Sequence, residues 1–169
     1  DKPLHILLNN AGIMKRERAE TVDGLEEVFS VNHLAYFALT LSLIEKMIES
    51  GGKRIVNVAS MGYRFVKEMN FEDLQSVDDY KAFKVYGQSK LANILFTRSL
   101  ASKVKNNNIT VNCLHPGYVD TGIGLNNKGS FVRLLMNLGR PFAKKTDKGA
   151  ETSIYLCVSP EVEAVTGEY

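Results

Sequence analysis

Three short apolar runs constrain this chain most. They are Leu4 to Leu8, Arg54 to Val58 (RIVNV) and Ile109 to Leu114 (ITVNCL), and each stops at a turn-forming group: Asn9-Asn10-Ala11-Gly12, Ala59-Ser60 and His115-Pro116-Gly117. Runs this apolar, with little polar alternation, suit strands buried on both faces. The intervals between them carry helical periodicity. Strands alternating with helices connect by right-handed crossovers and pair in parallel, so the expected class is α/β with a parallel sheet.

In the first interval Leu25, Val28, Phe29, Tyr36, Leu39 and Leu43 recur at helical spacing. Asp23 with Glu26 resembles a capping box at the start, and Ser50-Gly51-Gly52 ends the pattern. The second interval predicts a helix from about Tyr86 to Lys105, with Leu91, Ala92, Leu95, Phe96 and Leu100 on one side. After Gly117 the chain is glycine-rich and irregular to about Gly129; a helix over Lys148 to Val158 and a strand from Val165 follow. Neither repeats nor a linker divide residues 1–169, which read as a single domain.

Composition narrows the function. Apolar residues are 44% and charged residues 24% of the chain, which argues against disorder. A net charge of +2, from 21 basic and 19 acidic side chains, is too balanced for a nucleic-acid footprint. Cys113 and Cys157 are far apart and form no metal-ligand cluster, so no metal is expected and each reads as a small buried residue. No apolar run approaches the ~20 residues of a membrane span. The chain starts just before a strand and stops on Tyr169 inside another, without solvated margins, and reads as a fragment.

A tyrosine and a lysine four residues apart on a helix share a face, so the ammonium can act on the phenol. Tyr63/Lys67, Tyr80/Lys84 and Tyr86/Lys90 all have that spacing. The third is preferred, because it alone opens an amphipathic helix between two buried strands. Ligands of parallel sheets bind at the carboxyl ends of the strands. Asn10, Ala11 and Gly12, then Ser60, then Pro116 to Thr121 would share one crevice with Tyr86 and Lys90. Asn32 falls on the apolar stripe of the first long helix, where its amide needs partners; it is either a structural amide or part of the site. His33 and His115 have no nucleophile or metal ligand beside them in the pattern and read as structural. The Lys15-Arg16-Glu17-Arg18 and Lys144-Lys145 clusters read as solvated faces, with a 2′-phosphate or a membrane surface as alternatives.

NNAG after a strand, an asparagine in the next helix, a serine after the following strand, YGQSK on a helix and PGYVDTG after a further strand occur in register along nearly the whole chain. In that order they resemble the short-chain dehydrogenase/reductase family. VNHLAYFALT, RIVNVAS, YGQSKLANILFTRSLA and HPGYVDTG are most similar to its retinol dehydrogenase-like branch, as is the long separation of Ser60 from Tyr86.

The resemblance implies a Rossmann-like doubly wound parallel sheet, present in part as family strands 4 to 7. It implies an oxidoreductase interconverting an alcohol and an aldehyde or ketone. Tyr86 would be the general acid/base, and Lys90 would hold the nicotinamide ribose and lower the tyrosine pKa. Ser60 would bond the substrate oxygen, and Asn32 would fix a water linking Lys90 to solvent. Asn10, Ala11 and Gly12 would border the adenosine side of the cofactor; Pro116, Gly117, Val119 and Thr121 would touch its nicotinamide end. The cofactor would be NADP(H) rather than NAD(H), by branch resemblance.

The substrate is expected to be small and apolar, since Phe65, Val66, Phe131, Leu134, Leu135 and Met136 follow Ser60 and Thr121. The location would be intracellular, cytoplasmic or membrane-associated through other segments; homo-oligomerisation stays open. The family's glycine-rich cofactor turn is not in this sequence. The 169 residues alone are therefore expected to bind cofactor poorly and to leave Leu4 to Leu8 as an apolar edge. A catalytically silent binding protein and an isomerase- or lyase-type relative are the alternative readings.

Overall fold

The computed structural model describes residues 2–117, 119 and 145–169. Strands β1 (Ile6–Asn9), β2 (Arg54–Val58) and β3 (Thr110–Leu114) form a sheet in the order β1-β2-β3, parallel throughout. Leu7 faces Ile55 and Ile55 faces Val111 in register, so the three carboxyl ends lie together.

Helix α1 spans Glu27–Glu49 and contains one π-helical stretch, Ser30–Leu34. Helix α2 spans Ala82–Lys103 and α3 spans Thr146–Val158. Leu7, Ile55 and Val111 turn one face of the sheet towards Met47 of α1 and Leu100 and Ala101 of α2, forming the main core. On the opposite face Arg54 donates to the carbonyls of Leu156 (3.1 Å) and Ser159 (2.7 Å), fastening the end of α3. Helices on both faces of a parallel sheet make the doubly wound arrangement that the sequence implies.

Four local expectations change. Strand β1 is buried on one face only: Leu7 and Asn9 are buried while Ile6 and Leu8 are exposed, because side chains alternate between the faces and only the Leu7 side packs on the core. Asp23 does not cap α1. The fully buried carboxylate of Glu26 does, accepting from the backbone N–H of Val28 (2.8 Å) and Phe29 (2.6 Å). Helix α2 begins at Ala82, so Tyr86 lies one turn inside it rather than opening it.

The strand expected from Val165 is not formed. That segment instead lies along β3, with Gly167 N–H donating to the Val111 carbonyl (2.8 Å) and Cys113 N–H to that of Glu168 (2.9 Å).

Although no unbroken apolar run of membrane length stands in the sequence, α1 as a helix is long and apolar enough to cross one by length and composition. In this fold its polar contacts go to the domain. Tyr36 donates to the Ala11 carbonyl (2.7 Å), Thr40 accepts from Asn9 (3.0 Å), and Asn32 bonds Ile13 and Ser89.

Candidate active site

The turn after β2 sets the centre of the site. Ser60, in extended backbone, caps the 3₁₀ turn Met61–Phe65 by accepting from Gly62 N–H at 3.1 Å, and its hydroxyl hydrogen-bonds the Tyr86 phenol. Gly62 lies against the Tyr86 ring; a Cβ there would be 2.7 Å from Cε1 of Tyr86 and 3.3 Å from Oγ of Ser60. The structure thus brings Ser60 and Tyr86 together through a glycine that the sequence reading did not single out. Its signal was its place two residues after the serine.

Lys90 follows one turn later on α2, only 3% exposed. Its ammonium donates to the Val58 carbonyl at the end of β2 (3.1 Å) and lies 5.7 and 5.9 Å from the ring centres of Tyr86 and Tyr36. Burial draws its pKa down to about 8. Burial also holds the Tyr86 phenol above its ordinary value, with the Ser60 hydroxyl working weakly the other way.

Neither rival pair shares a helix. Tyr63 is in the 3₁₀ turn that ends at Phe65, and Tyr80 precedes α2, donating to the Lys15 carbonyl (3.0 Å).

Asn32 is fully buried in the π-helical stretch. Its Oδ1 accepts from Ile13 N–H (2.7 Å), and its Nδ2 donates to the Ile13 carbonyl and to Ser89 Oγ, both at 3.0 Å. Ser89 in turn donates to the Tyr86 carbonyl (2.8 Å). Asn32 therefore pins the turn after β1 to the helix bearing Tyr86 and Lys90. Ser89, within YGQSK, is a member of the site that sequence reasoning passed over.

Among the other expected positions, Asn10 and Ala11 are exposed after β1 and Gly12 is half-buried. Gly12 matters most, since a Cβ there would stand 3.4 Å from Nζ of Lys90 and 3.5 Å from Oδ1 of Asn32. Pro116 and Gly117 follow β3 at the same end of the sheet, Gly117 with a positive φ of 83°. The isopropyl group of Val119 packs against Gly149 of α3, where a Cβ would meet it at 2.6 Å. Thr121 lies outside the described residues, as do Lys144, Phe131, Leu134, Leu135 and Met136. Lys15 pairs with Glu27, and Arg18 with Glu20 (2.6 Å), so these cations of the basic cluster are already engaged.

A nicotinamide dinucleotide offers ribose hydroxyls as acceptors, and this site suits them. The Lys90 ammonium has three N–H groups, and the Val58 carbonyl is its one hydrogen-bond acceptor among the described residues.

The model of the short chain dehydrogenase family matches residues 2–129. This chain belongs to the short-chain dehydrogenase family. It is 46% identical over 168 residues to human retinol dehydrogenase 14, covering 98% of this chain and 50% of that protein. It is 41% identical over 169 residues to mouse retinol dehydrogenase 12, covering 100% of this chain and 52% of the other. The chain thus spans about half the length of the curated relatives it matches. Among solved structures, one assigned as an NAD(P) dependent gluconate 5-dehydrogenase from Beutenbergia cavernae, with NADP bound at low occupancy, is 26% identical. Its TM-score is 0.70, and the match covers 99% of this chain and 64% of that one.

Proposed function

We propose that the protein is an oxidoreductase that interconverts an alcohol and an aldehyde or ketone with a nicotinamide cofactor, NADP(H) rather than NAD(H), on a small apolar substrate. The buried Lys90 ammonium one helical turn from Tyr86, against the Gly12 turn and with Val58 as its one hydrogen-bond acceptor among the described residues, carries the reading. The likeness to retinol dehydrogenases and the NADP bound by a structural relative support it. An intracellular location, cytoplasmic or membrane-associated, goes with that cofactor.

Each residue then has a role its contacts permit. Tyr86 donates its phenolic proton to the carbonyl oxygen in reduction and takes the alcohol proton in oxidation. A phenol held above its ordinary pKa starts protonated, as reduction requires. Ser60, whose Oγ already accepts from Gly62, donates its O–H to the same substrate oxygen. Lys90 holds the ribose hydroxyls. Asn10, Ala11 and Gly12 border the adenosine side of the cofactor, and Pro116, Gly117, Val119 and Thr121 its nicotinamide end. Asn32 can fix a water for Lys90 through Oδ1 or its main-chain carbonyl, each of which keeps an acceptor site beyond its bond to Ile13 or Asn93. The cofactor, when bound, supplies or accepts the hydride.

A cavity of about 620 Å³ lies beside this part of α2; Phe65, Val66, Met69 and Phe71 give it an apolar side, and Lys67, Glu68, Asn70, Glu72, Lys84 and Gln88 a polar one. Phe65 and Val66 press on the helix turn at Gly87, beside Tyr86.

Tyr86→Phe and Lys90→Met in the full-length protein test the reading. NADPH-dependent carbonyl reduction should fall at least about 100-fold in each. Near wild-type rates in both would refute the assignment, and turnover without stoichiometric NADPH consumption would favour an isomerase or lyase instead.

A further inference from the structure

Helix α1 departs from regular α geometry at Ser30–Leu34, the stretch that carries Asn32. A π turn interrupts the regular backbone ladder, so its carbonyls need other donors, and such turns concentrate at functional sites. Here the donor to the Asn32 carbonyl comes from a neighbouring helix. Nδ2 of Asn93 on α2, fully buried, bonds it at 2.8 Å. The other end of the same amide is held as well: Oδ1 of Asn93 stands 3.0 Å from Nδ1 of His33.

The network fixes the histidine tautomer. A carbonyl can only accept, so the nitrogen of the Asn93 amide must face Asn32 and its oxygen must face His33. Nδ1 of His33 therefore carries the proton. Burial favours the neutral ring, and Phe29, Phe37 and Phe96 surround it with centroids 5.2 to 6.4 Å away.

We propose that Asn93, oriented by His33, is a positioning residue of the reaction: it clamps the π turn so that Asn32 holds Ile13 and Ser89, and with them the walls around Lys90. The inference rests on the proposed function for its kinetic meaning. The mechanical chain stands on its own contacts. Asn93 holds the Asn32 backbone, the Asn32 side chain holds Ile13 and Ser89, and Gly12, next to Ile13, lies against the Lys90 ammonium. Without the clamp the π turn can relax towards a regular helix, which rotates Asn32 away from Ile13 and opens Lys90 to water.

The test uses Asn93→Asp, which keeps shape and acceptor but loses the donor, and Asn93→Leu, which loses both. Two readouts are needed in the full-length protein. The first is competitive acetylation of Lys90 across pH without cofactor, read by mass spectrometry, with Tyr36 and Tyr86 as the titratable rings facing it. Its midpoint should rise by about one unit in both variants, as readmitted water restores the charged form. The second is carbonyl reduction, where kcat should fall about tenfold or more while KM stays within about threefold.

His33→Phe should produce a smaller change in the same direction, and His33→Gln, which can still donate, should recover most of it. A lowered Tm with unmoved midpoint and kcat in the folded variants would overturn the proposal. If the Asn93 variants do not fold, an unmoved midpoint in His33→Phe overturns it instead. Loss of wild-type turnover with a shifted midpoint would count against the oxidoreductase reading and for the clamp.

Discussion

Gly62 and Tyr86 touch so closely that no side chain fits between them: a Cβ on Gly62 would lie 2.7 Å from Cε1 and 2.9 Å from Cδ1 of the tyrosine ring. The backbone of Gly62 needs no left-handed conformation, so the constraint is one of space alone. Gly62→Ala should displace the phenol by a fraction of an ångström to an ångström and lower kcat about 10- to 100-fold, a misplacement effect. Steady-state kinetics beside thermal unfolding checks this; a rate within twofold of wild type would show that the ring is not seated against the turn.

The buried Lys90 makes stability depend on pH in an unusual direction. In the unfolded chain the amine keeps its proton to about 10.5, whereas in the native state it releases it near 8. Between those values the unfolded state binds more protons, so native stability rises with pH. Urea unfolding should therefore show the wild type gaining about 2 kcal/mol relative to Lys90→Met between pH 8 and 10. A flat difference across that window would mean that Lys90 is solvated in the native protein.

A buried amide and hydroxyl ladder joins the strands to both helices. Asn9 donates to Thr40 Oγ1 (3.0 Å) and Asn57 Oδ1 (2.8 Å), Asn57 to Thr97 Oγ1 (2.9 Å), and Thr97 to the Asn93 carbonyl (2.8 Å). Replacing Asn57 by leucine removes the middle rung and leaves Asn9 short of an acceptor. The expected loss is about 2 to 4 kcal/mol, from unsatisfied partners and overpacking together. Chemical denaturation measures it directly.

Glu26→Ala would strip the N-cap of α1 and orphan the N–H groups of Val28 and Phe29, which are buried. Burial raises the Glu26 pKa, against the two backbone bonds that lower it, so the capping bonds offset only part of the cost of burying the carboxylate. We expect a net destabilisation of about 1 to 2 kcal/mol. Amide exchange should speed up in the first turns of α1 more than in α2.

Much of the candidate site was legible because its residues follow secondary-structure periodicity. Tyr86 and Lys90 stand four apart on α2, and Ser60 and Gly12 follow strands that end together in register. Asn32 announced itself as an amide on an apolar stripe. The partners of that amide could not be read, because Ile13, Ser89 and Asn93 approach it from sequence separations of 19, 57 and 61 residues. The cap was misplaced for a similar reason. Asp23 and Glu26 are equivalent by pattern, and only the turn through Thr21 and Gly24 decides which carboxylate reaches the helix end.

The sequence by itself determined the order of the three strands and the helices between them, the parallel pairing and the candidate site residues, since apolar period and local stops dictate those. Tertiary structure alone decided the electrostatics and the support. How deeply Lys90 is buried, that burial raises the Tyr86 phenol, and that the Asn32 carbonyl is held by Asn93 all follow from desolvation and hydrogen bonds between distant segments. Such quantities depend on which surfaces meet in three dimensions, and no spacing along the chain encodes them.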